Sequence, residues 1–442
     1  MERLKARERF EPPPRSRGPD KLNGIRALLN QLNNPEKTFQ IVHVAGTNGK
    51  GTTSAMIAGL LKQSGKQCGL YTSPHLMALN ERFMIDGTPI TREALAEAGT
   101  LVLDAADAMA SGPYLSYFDV LTAIGLLAFR QAGVDWAVLE VGLGGRSDAT
   151  NVTESKALAV ITAIGLDHTQ VLGNDLHTIA GEKMGIVRPG VPVVIGRQPF
   201  GLEDWLAERA SEMDAHPVLS VRQPLEWIPG QPEQVVWKGV ATHPLSLASG
   251  RKITTAMLDC AATALCAAGV LLGEPDPDDA TARLREALSL APPGRLDYRE
   301  GVLIRDSTLP PFHRVVLDGG HNAPAIHLLA EHLRRWNFRD FTAIFTMQQD
   351  KLIPEVQEAL KELLGDCGRL ILPPPMTPRS PTGEALEAFI QSAAGGSPPP
   401  IIRANSLRET LFLANEKAET PLVITGSFWM VGDLMRELEF RK

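Results

Sequence analysis

The chain has four cysteines in 442 residues, Cys68, Cys260, Cys266 and Cys367, and no two stand in C-x-x-C spacing. A zinc ribbon and a disulfide framework are thereby disfavoured, and reduced, mostly packed thiols are expected. Nor is there a polybasic run: the formal charge is −7, which argues against nucleic acid as a partner and leaves room only for a local basic pocket around a small anion. The first ten residues are charged and lack an apolar core, so they do not read as a secretory signal, and Pro12-Pro13-Pro14 reads as an irregular arm. Only residues 254–272 are apolar for long enough to raise the question of a membrane. Asp259, two leading threonines and many alanines make that stretch a close-packed interior helix, so no membrane partner is expected and the location expected is cytoplasmic.

What the chain does have is alternation. Short apolar, β-branched runs at 39–45, 67–71, 136–141, 158–163 and 191–195 are separated by helical patterns, the rhythm of a parallel sheet flanked by helices. Residues 217–249 mix Pro, Trp and Val without helical period and suggest hairpins or an edge extension. After Pro292-Pro293-Gly294 a second alternation begins, with strands expected at 315–318, 341–345, 369–372 and 422–425. Helices are expected at 324–336, 352–364 and 429–440, and the Pro-, Ser- and Gly-rich stretch 373–400 is expected to include mobile loops. The expected fold class is α/β: a P-loop-containing parallel-sheet ATPase domain over 1–297, then a smaller Rossmann-like α/β domain over 298–442. A length of 442 residues suits two domains or three.

Chemistry concentrates where the expected strands end. The run Gln40 to Ala45 passes into Gly46-Thr47-Asn48-Gly49-Lys50-Gly51-Thr52-Thr53, where glycines free backbone N–H groups, Lys50 adds a cation and a helix start points its positive end at the same anion. The usual phosphate-loop pattern is not fully met, because Val44 stands where it needs glycine and Gly51 where it needs a hydroxyl. A nucleoside triphosphate is the expected cargo. Ser73 in TSPHL follows the second strand; alone, Ser-Pro-His is an ordinary turn. Glu140 ends a buried-type strand ahead of the glycine turn Gly142-Leu143-Gly144-Gly145-Arg146, and suits Mg²⁺, a hard cation that bridges triphosphate oxygens. His168, after the next strand, is positioned to coordinate a metal or orient a phosphate, a lone histidine being otherwise structural. Lys183 beside Glu182 reads from the residues alone as a solvated lysine.

Taken together, these motifs resemble the Mur ligase superfamily and, within it, the folylpolyglutamate synthase and dihydrofolate synthase family. The blocks are HVAGTNGKGTT at 43–53, TSPHL at 72–76 with ERF at 81–83, LEVGLGGRSDATN at 139–151, GLDHTQVLG at 165–173 and EKMGIVRPG at 182–190. PGR at 293–295, LDGGHN at 317–322 and ITGSFWMVG at 424–432 continue them in family order. The resemblance implies an ATP- and Mg²⁺-dependent ligase that adds L-glutamate to dihydropteroate, to reduced folates or to both through an acyl phosphate, acting as a monomer. It further implies that Asn48, Gly49, Lys50, Gly51 and Thr52 cradle the phosphates, that Ser73, Glu140 and His168 hold Mg²⁺, and that Lys183 is carbamylated to serve a second ion. Arg295 and Asp318 match nucleotide contacts, and His321 is expected near the phosphates. Ser116, Tyr117, Phe118, Asp119 and Asp148, with Leu22-Asn23-Gly24, fall where the family meets its pterin substrate.

Three departures stand out. Ala256-Met257-Leu258-Asp259-Cys260 replaces His-Gln-x-x-Asn, whose asparagine helps hold the nucleotide; Asp119 replaces a glutamate; and Asn23-Gly24 replaces a Leu-Gly-Leu-like stretch. Two other readings follow from them: a Mur-type amide ligase with a different carboxylate acceptor, and a nucleotide-binding protein with a decayed catalytic site.

Overall fold

The computed structural model describes residues 3–4, 21–109, 112–198, 201–222, 226–227, 235–237, 240–241, 252–273, 277–395 and 398–440. The proline arm at 12–14 and most of 217–249 lie outside them. The chain forms two compact units, the first ending at Ala291 and the second running from Pro292, with residues 76–78 and a short segment before Thr255 belonging to the second. The division therefore falls after Ala291 rather than at 297/298. Asp297 already opens a strand of the second sheet, paired with Leu317, so the residues leading into it go with that sheet.

In the first unit the expected apolar runs become β1 (Gln40–Ala45), β2 (Cys68–Tyr71), β5 (Trp136–Glu140), β6 (Leu158–Ile161) and β7 (Val193–Ile195), and β8 (Val218–Ser220), at the start of the stretch 217–249, is added at the edge; all six are parallel. Two short antiparallel strands, β3 (Phe83–Ile85) and β4 (Thr88–Pro89), extend one edge and give the order β4-β3-β2-β5-β1-β6-β7-β8. Five of the six residues of β1 are buried and β5 and β6 flank it, which is why these strands are nearly continuous in Val, Ile, Leu and Ala. The chain leaves β1 toward β2 on one side and reaches β6 on the other. The carboxyl end of β1 is thus a topological switch point, the place where open α/β sheets take ligands.

Helix α1 (Lys50–Gln63) starts directly after Gly49 in the glycine turn. Helix α2 (Tyr117–Ala132) packs on the sheet through Val120, Leu121, Ile124, Leu127 and Phe129. Helix α3 (Leu176–Met184) carries Lys183. The apolar stretch at 254–272 is helix α4 (Thr255–Leu272), whose Met257, Leu258 and residues 260–265 are buried; small side chains let it lie close to α1. It is the one helix among the described residues long and apolar enough to cross a membrane.

Within 217–249, β9 (Glu226–Trp227), β10 (Val235–Trp237) and β11 (Val240–Ala241) form a three-stranded antiparallel sheet. The second unit has β12 (Asp297–Ile304), β13 (Phe312–Asp318), β14 (Phe341–Phe345), β15 (Cys367–Leu372), β16 (Ile401–Arg403), β17 (Leu422–Thr425) and β18 (Leu438–Glu439) in the order β16-β15-β14-β17-β13-β12-β18. Its middle is parallel; β12 runs antiparallel to both neighbours. The stretch 373–400, expected to include loops, also carries the helix Gly383–Ala394, capped by Thr382 accepting from the N–H of Ala385. Within it, Glu384-Ala385-Leu386-Glu387-Ala388-Phe389-Ile390-Gln391 are mostly good helix formers, Leu386, Ile390 and Ala393 are buried, and the Thr382 cap fixes the start. Helix α5 (Phe428–Glu437) follows β17.

Candidate active site

The turn after β1 is fixed from behind by the loop after β6. The N–H groups of Thr47 and Asn48 donate to the carbonyl of Ala163 at 2.8 and 3.1 Å, and Thr47 Oγ1 exchanges 3.0 Å hydrogen bonds with the backbone of Gly165. Gly46 adopts φ +153°, and a Cβ there would stand 1.9 Å from Thr162 Oγ1. Gly49 (φ +83°) is the N-cap of α1 and offers no side-chain cap. The opening N–H groups of a helix have no intrahelical partner, so an uncapped start beside Lys50 fits a triphosphate. Lys50 Nζ donates to the carbonyl of Thr47 at 3.0 Å, which folds its ammonium back over the turn.

Cys260, at the altered family position, lies beneath this turn. Its Sγ donates weakly to the Gly49 carbonyl at 3.7 Å and would be 3.0 Å from a Cβ on Gly49. Its neighbour Asp259 pairs with Arg197 at 3.7 Å, and burial pushes the Asp259 carboxyl up. Arg197 carried no signal in the sequence; it enters only through the packing of α4.

β5 pairs with β1 so that Glu140 stands opposite Val44. The Glu140 side chain is 2% exposed, and its Oε2 accepts the N–H of Ser73 at 2.8 Å. His168 has left-handed backbone (φ 50°) and a half-exposed ring 3.9 Å from Asp167, whose side chain is largely covered. Among the described residues no three His, Cys, Asp or Glu side chains form a ready-made metal cage. The donors present are one carboxylate, one hydroxyl and one imidazole. Of these the Glu140 carboxylate and the Ser73 hydroxyl are the oxygen donors that suit Mg²⁺, which takes one or two protein carboxylates and completes its shell with water and phosphate oxygens.

Lys183 is not the solvated lysine its local sequence suggests. It is 4% exposed, and Nζ donates to the carbonyl of Gly46 at 2.7 Å. Burial, with the Lys50 ammonium adding to it, brings its amine down to about 7, while Asp167 and Asp148 oppose the shift. The glycine turn after β5 explains how α3 comes so close: Arg146 N donates to the Glu182 carbonyl at 2.9 Å, and a Cβ on Gly145 would lie 2.8 Å from the carbonyls of Glu182 and Lys183. Those neighbours are backbone and cannot swing aside. Gly145→Ala is therefore expected to destabilise the protein by roughly 1–3 kcal/mol, read as a lowered thermal midpoint, and to reduce kcat by displacing Lys183.

Three of the expected substrate residues are turned inward. Ser116 and Asp119 form the capping box of α2: Asp119 N–H donates to Ser116 Oγ at 3.0 Å, and Asp119 Oδ2 accepts the Ser116 N–H and hydroxyl at 2.8 and 2.7 Å. Asp119 fills the N3 place of the box, which a glutamate would also fill, so the box gives the Glu-to-Asp departure no structural reason. Asp148 is buried and accepts from Leu143 N, Thr150 N and Thr150 Oγ1; burial raises its carboxyl. Tyr117 and Phe118 are partly exposed, with the Phe118 ring 5.9 Å from Tyr71.

The second unit gathers its own group. Asp318, ending β13, accepts the N–H groups of Leu296 and Gly320 at 3.0 and 3.1 Å and so ties the PGR and DGGH turns together; burial pushes its carboxyl up to about 6. The Arg295 guanidinium lies 4.6 Å from the centre of the Phe428 ring, and the His321 ring meets the edge of the same phenyl group at 6.0 Å. Phe428 was missing from the expected site because an isolated phenylalanine at a helix start reads as core.

A glycine turn closed from behind by a buried lysine, beside a strand-end carboxylate, defines the nucleotide-binding unit of an ATP-dependent ligase of the Mur type. Residues 44–195 match the Mur ligase middle domain. The chain is 31% identical over 440 residues to the dihydrofolate synthase/folylpolyglutamate synthase of Bacillus subtilis (strain 168), covering 95% of each. It is similar in structure to Mycobacterium tuberculosis folylpolyglutamate synthase complexed with ADP, at TM-score 0.79 and 28% identity over 98% of each chain. It is also similar to the bifunctional folylpolyglutamate synthase/dihydrofolate synthase of Yersinia pestis complexed with AMPPNP and a Mn ion, at TM-score 0.77 and 26% identity, over 98% of this chain and 96% of that one. The chain belongs to the dihydrofolate synthase/folylpolyglutamate synthase family.

Proposed function

We propose that this protein uses ATP to join L-glutamate to the carboxylate of dihydropteroate, of reduced folates, or of both, in the cytoplasm and as a monomer. The observation that carries the reading is the Lys183 amine, buried against the Gly46 carbonyl at the back of the phosphate turn. A decayed nucleotide-binding protein would have no use for a buried amine held at the expense of its charge.

In this mechanism the acceptor carboxylate attacks the γ-phosphorus, the bond to the bridging oxygen breaks, and ADP leaves an acyl phosphate. The glutamate amine then attacks the acyl carbon, loses a proton and expels phosphate. The N–H groups from Asn48 to Thr52 hold the phosphates, and the Lys50 ammonium offsets the charge that builds on the transferring group. Ser73, Glu140 and His168 would hold Mg²⁺, which supplies charge neutralisation at the β- and γ-phosphate oxygens. A neutral Lys183 amine adds to CO₂, forming an N–C bond and releasing one proton; the resulting carbamate is the anion a second ion would need. Arg295, Asp318 and His321 are the further nucleotide contacts that the family resemblance implies, Arg295 and His321 being steadied by Phe428. Tyr117 and Phe118 offer the acceptor's ring system a partly exposed aromatic surface. Ser116, Asp119 and Asp148 support that surface through the capping box and the Leu143–Thr150 turn.

The test is direct. Purified protein with ATP, Mg²⁺ and labelled glutamate is offered dihydropteroate and tetrahydrofolate separately, and product mass is read. A mass gain of one glutamate on either acceptor is expected; no incorporation into either would remove the folate assignment in favour of a Mur-type ligase with another acceptor.

A further inference from the structure

Asn151 sits in the one-turn 3-10 helix Ala149–Val152 and is 3% exposed. Its amide makes every hydrogen bond such a group can make. Nδ2 donates to the carbonyls of Arg146 and Gly185, each at 3.0 Å, while Oδ1 accepts from Lys156 Nζ at 2.7 Å and from Arg188 Nη2 at 2.9 Å. Both side chains also donate onward, Lys156 to the Ile186 carbonyl at 2.8 Å and Arg188 to the carbonyls of Gly185 and Val187 at 2.9 and 3.0 Å. One small side chain thus ties the glycine turn after β5 to the chain just past Lys183.

We propose that Asn151 is the positioning residue for Lys183: by holding Arg146 against Gly185 it sets where the end of α3 lies, and so keeps the Lys183 amine at the Gly46 carbonyl, where it is carbamylated. The inference rests on the reading of Lys183 given above. A purely stabilising role is a poor account of the arrangement. Burying the Lys156 amine, which desolvation brings down to about 6, beside the half-buried Arg188 guanidinium carries a cost that apolar side chains of the same volume would avoid, whereas a fully satisfied polar network confers rigidity. Rigidity is needed next to a side chain that must meet one carbonyl on a different element.

Asn151→Asp separates the two roles. The aspartate keeps an acceptor for Lys156 and Arg188, with a charge that favours both, but replaces the two donors with oxygen facing the Arg146 and Gly185 carbonyls. Carbamate formation is followed by ¹³C resonance under labelled bicarbonate, together with thermal midpoint, kcat and KM for ATP. The expected result is a half-saturating bicarbonate concentration raised about tenfold and kcat lowered by about 10–100-fold, with KM for ATP changed by less than about twofold because the phosphate turn itself is untouched. An unchanged bicarbonate titration in the folded variant overturns the inference, as does a fall in kcat matched by an equal rise in KM for ATP. Should Asn151→Asp fail to fold, Asn151→Ser decides: its single short hydroxyl cannot bridge the Arg146 and Gly185 carbonyls, and a raised half-saturating bicarbonate supports the inference while an unchanged one ends it. Lys183→Ala is the control for the underlying reading. If it keeps wild-type turnover, the Lys183 role is wrong; if it is inactive while Asn151→Asp titrates normally, only the role of Asn151 falls.

Discussion

Lys50→Ala is expected to abolish measurable turnover, with kcat down by about 10³-fold, the scale of removing one preorganised charge from a transferring group. The reason is positional. The Lys50 side chain is the first of α1, and its hydrogen bond to the Thr47 carbonyl keeps the ammonium over the turn rather than in solvent. Folding should be unaffected, because the glycine turn is held by Thr47, Ala163 and Gly165, none of which needs the lysine. Single-turnover measurement of ADP release distinguishes loss of phosphoryl transfer from loss of glutamate addition. Activity within a few-fold of wild type would remove Lys50 from its role.

Lys183→Met should have the second largest effect, at least about 10²-fold on kcat, and it should leave a stability signature of known sign. The Lys183 amine has an ordinary value of 10.5 and is brought down to about 7 in the folded chain, chiefly by burial. Between those two values the unfolded chain holds a proton that the folded chain does not, so stability rises with pH across the window. Below about pH 7 the cost of burying the ammonium is present in full. Methionine has nearly the same length and no charge. In bicarbonate-free buffer the variant is therefore expected to melt higher than wild type at pH 6, with the gap narrowing as pH rises toward 10.5. A variant less stable than wild type at pH 6, with no change of that difference up to pH 10, would mean that Lys183 is not held as a buried amine.

Much of the site was legible because its chemistry is local in sequence. Gly46 to Thr52 show their turn, cation and helix start in seven consecutive residues, and Glu140 ends a strand whose apolar run is unmistakable. The antiparallel strands β3, β4, β12 and β18 escaped notice; they are short or carry polar residues, as edge and near-edge strands do, and so lack a continuous apolar run. Ser116, Asp119 and Asp148 illustrate the converse. The family resemblance marked them as substrate contacts, but the same groups are what a buried helix start and a tight turn need.

Lys183 draws the line between the two kinds of knowledge. From its neighbours it is a surface lysine, and only the family resemblance suggested otherwise. The fold class, the two α/β units and the phosphate turn follow from the sequence itself, because periodicity and turn chemistry act between residues a few positions apart. The approach of α3 to Gly46 depends on Gly145, Asn151, Lys156 and Arg188, and on a carbonyl 137 positions away. Contacts of that range have no period and no spacing; they exist only once β5, β6 and β1 have paired and the chain between them has been folded back onto the sheet.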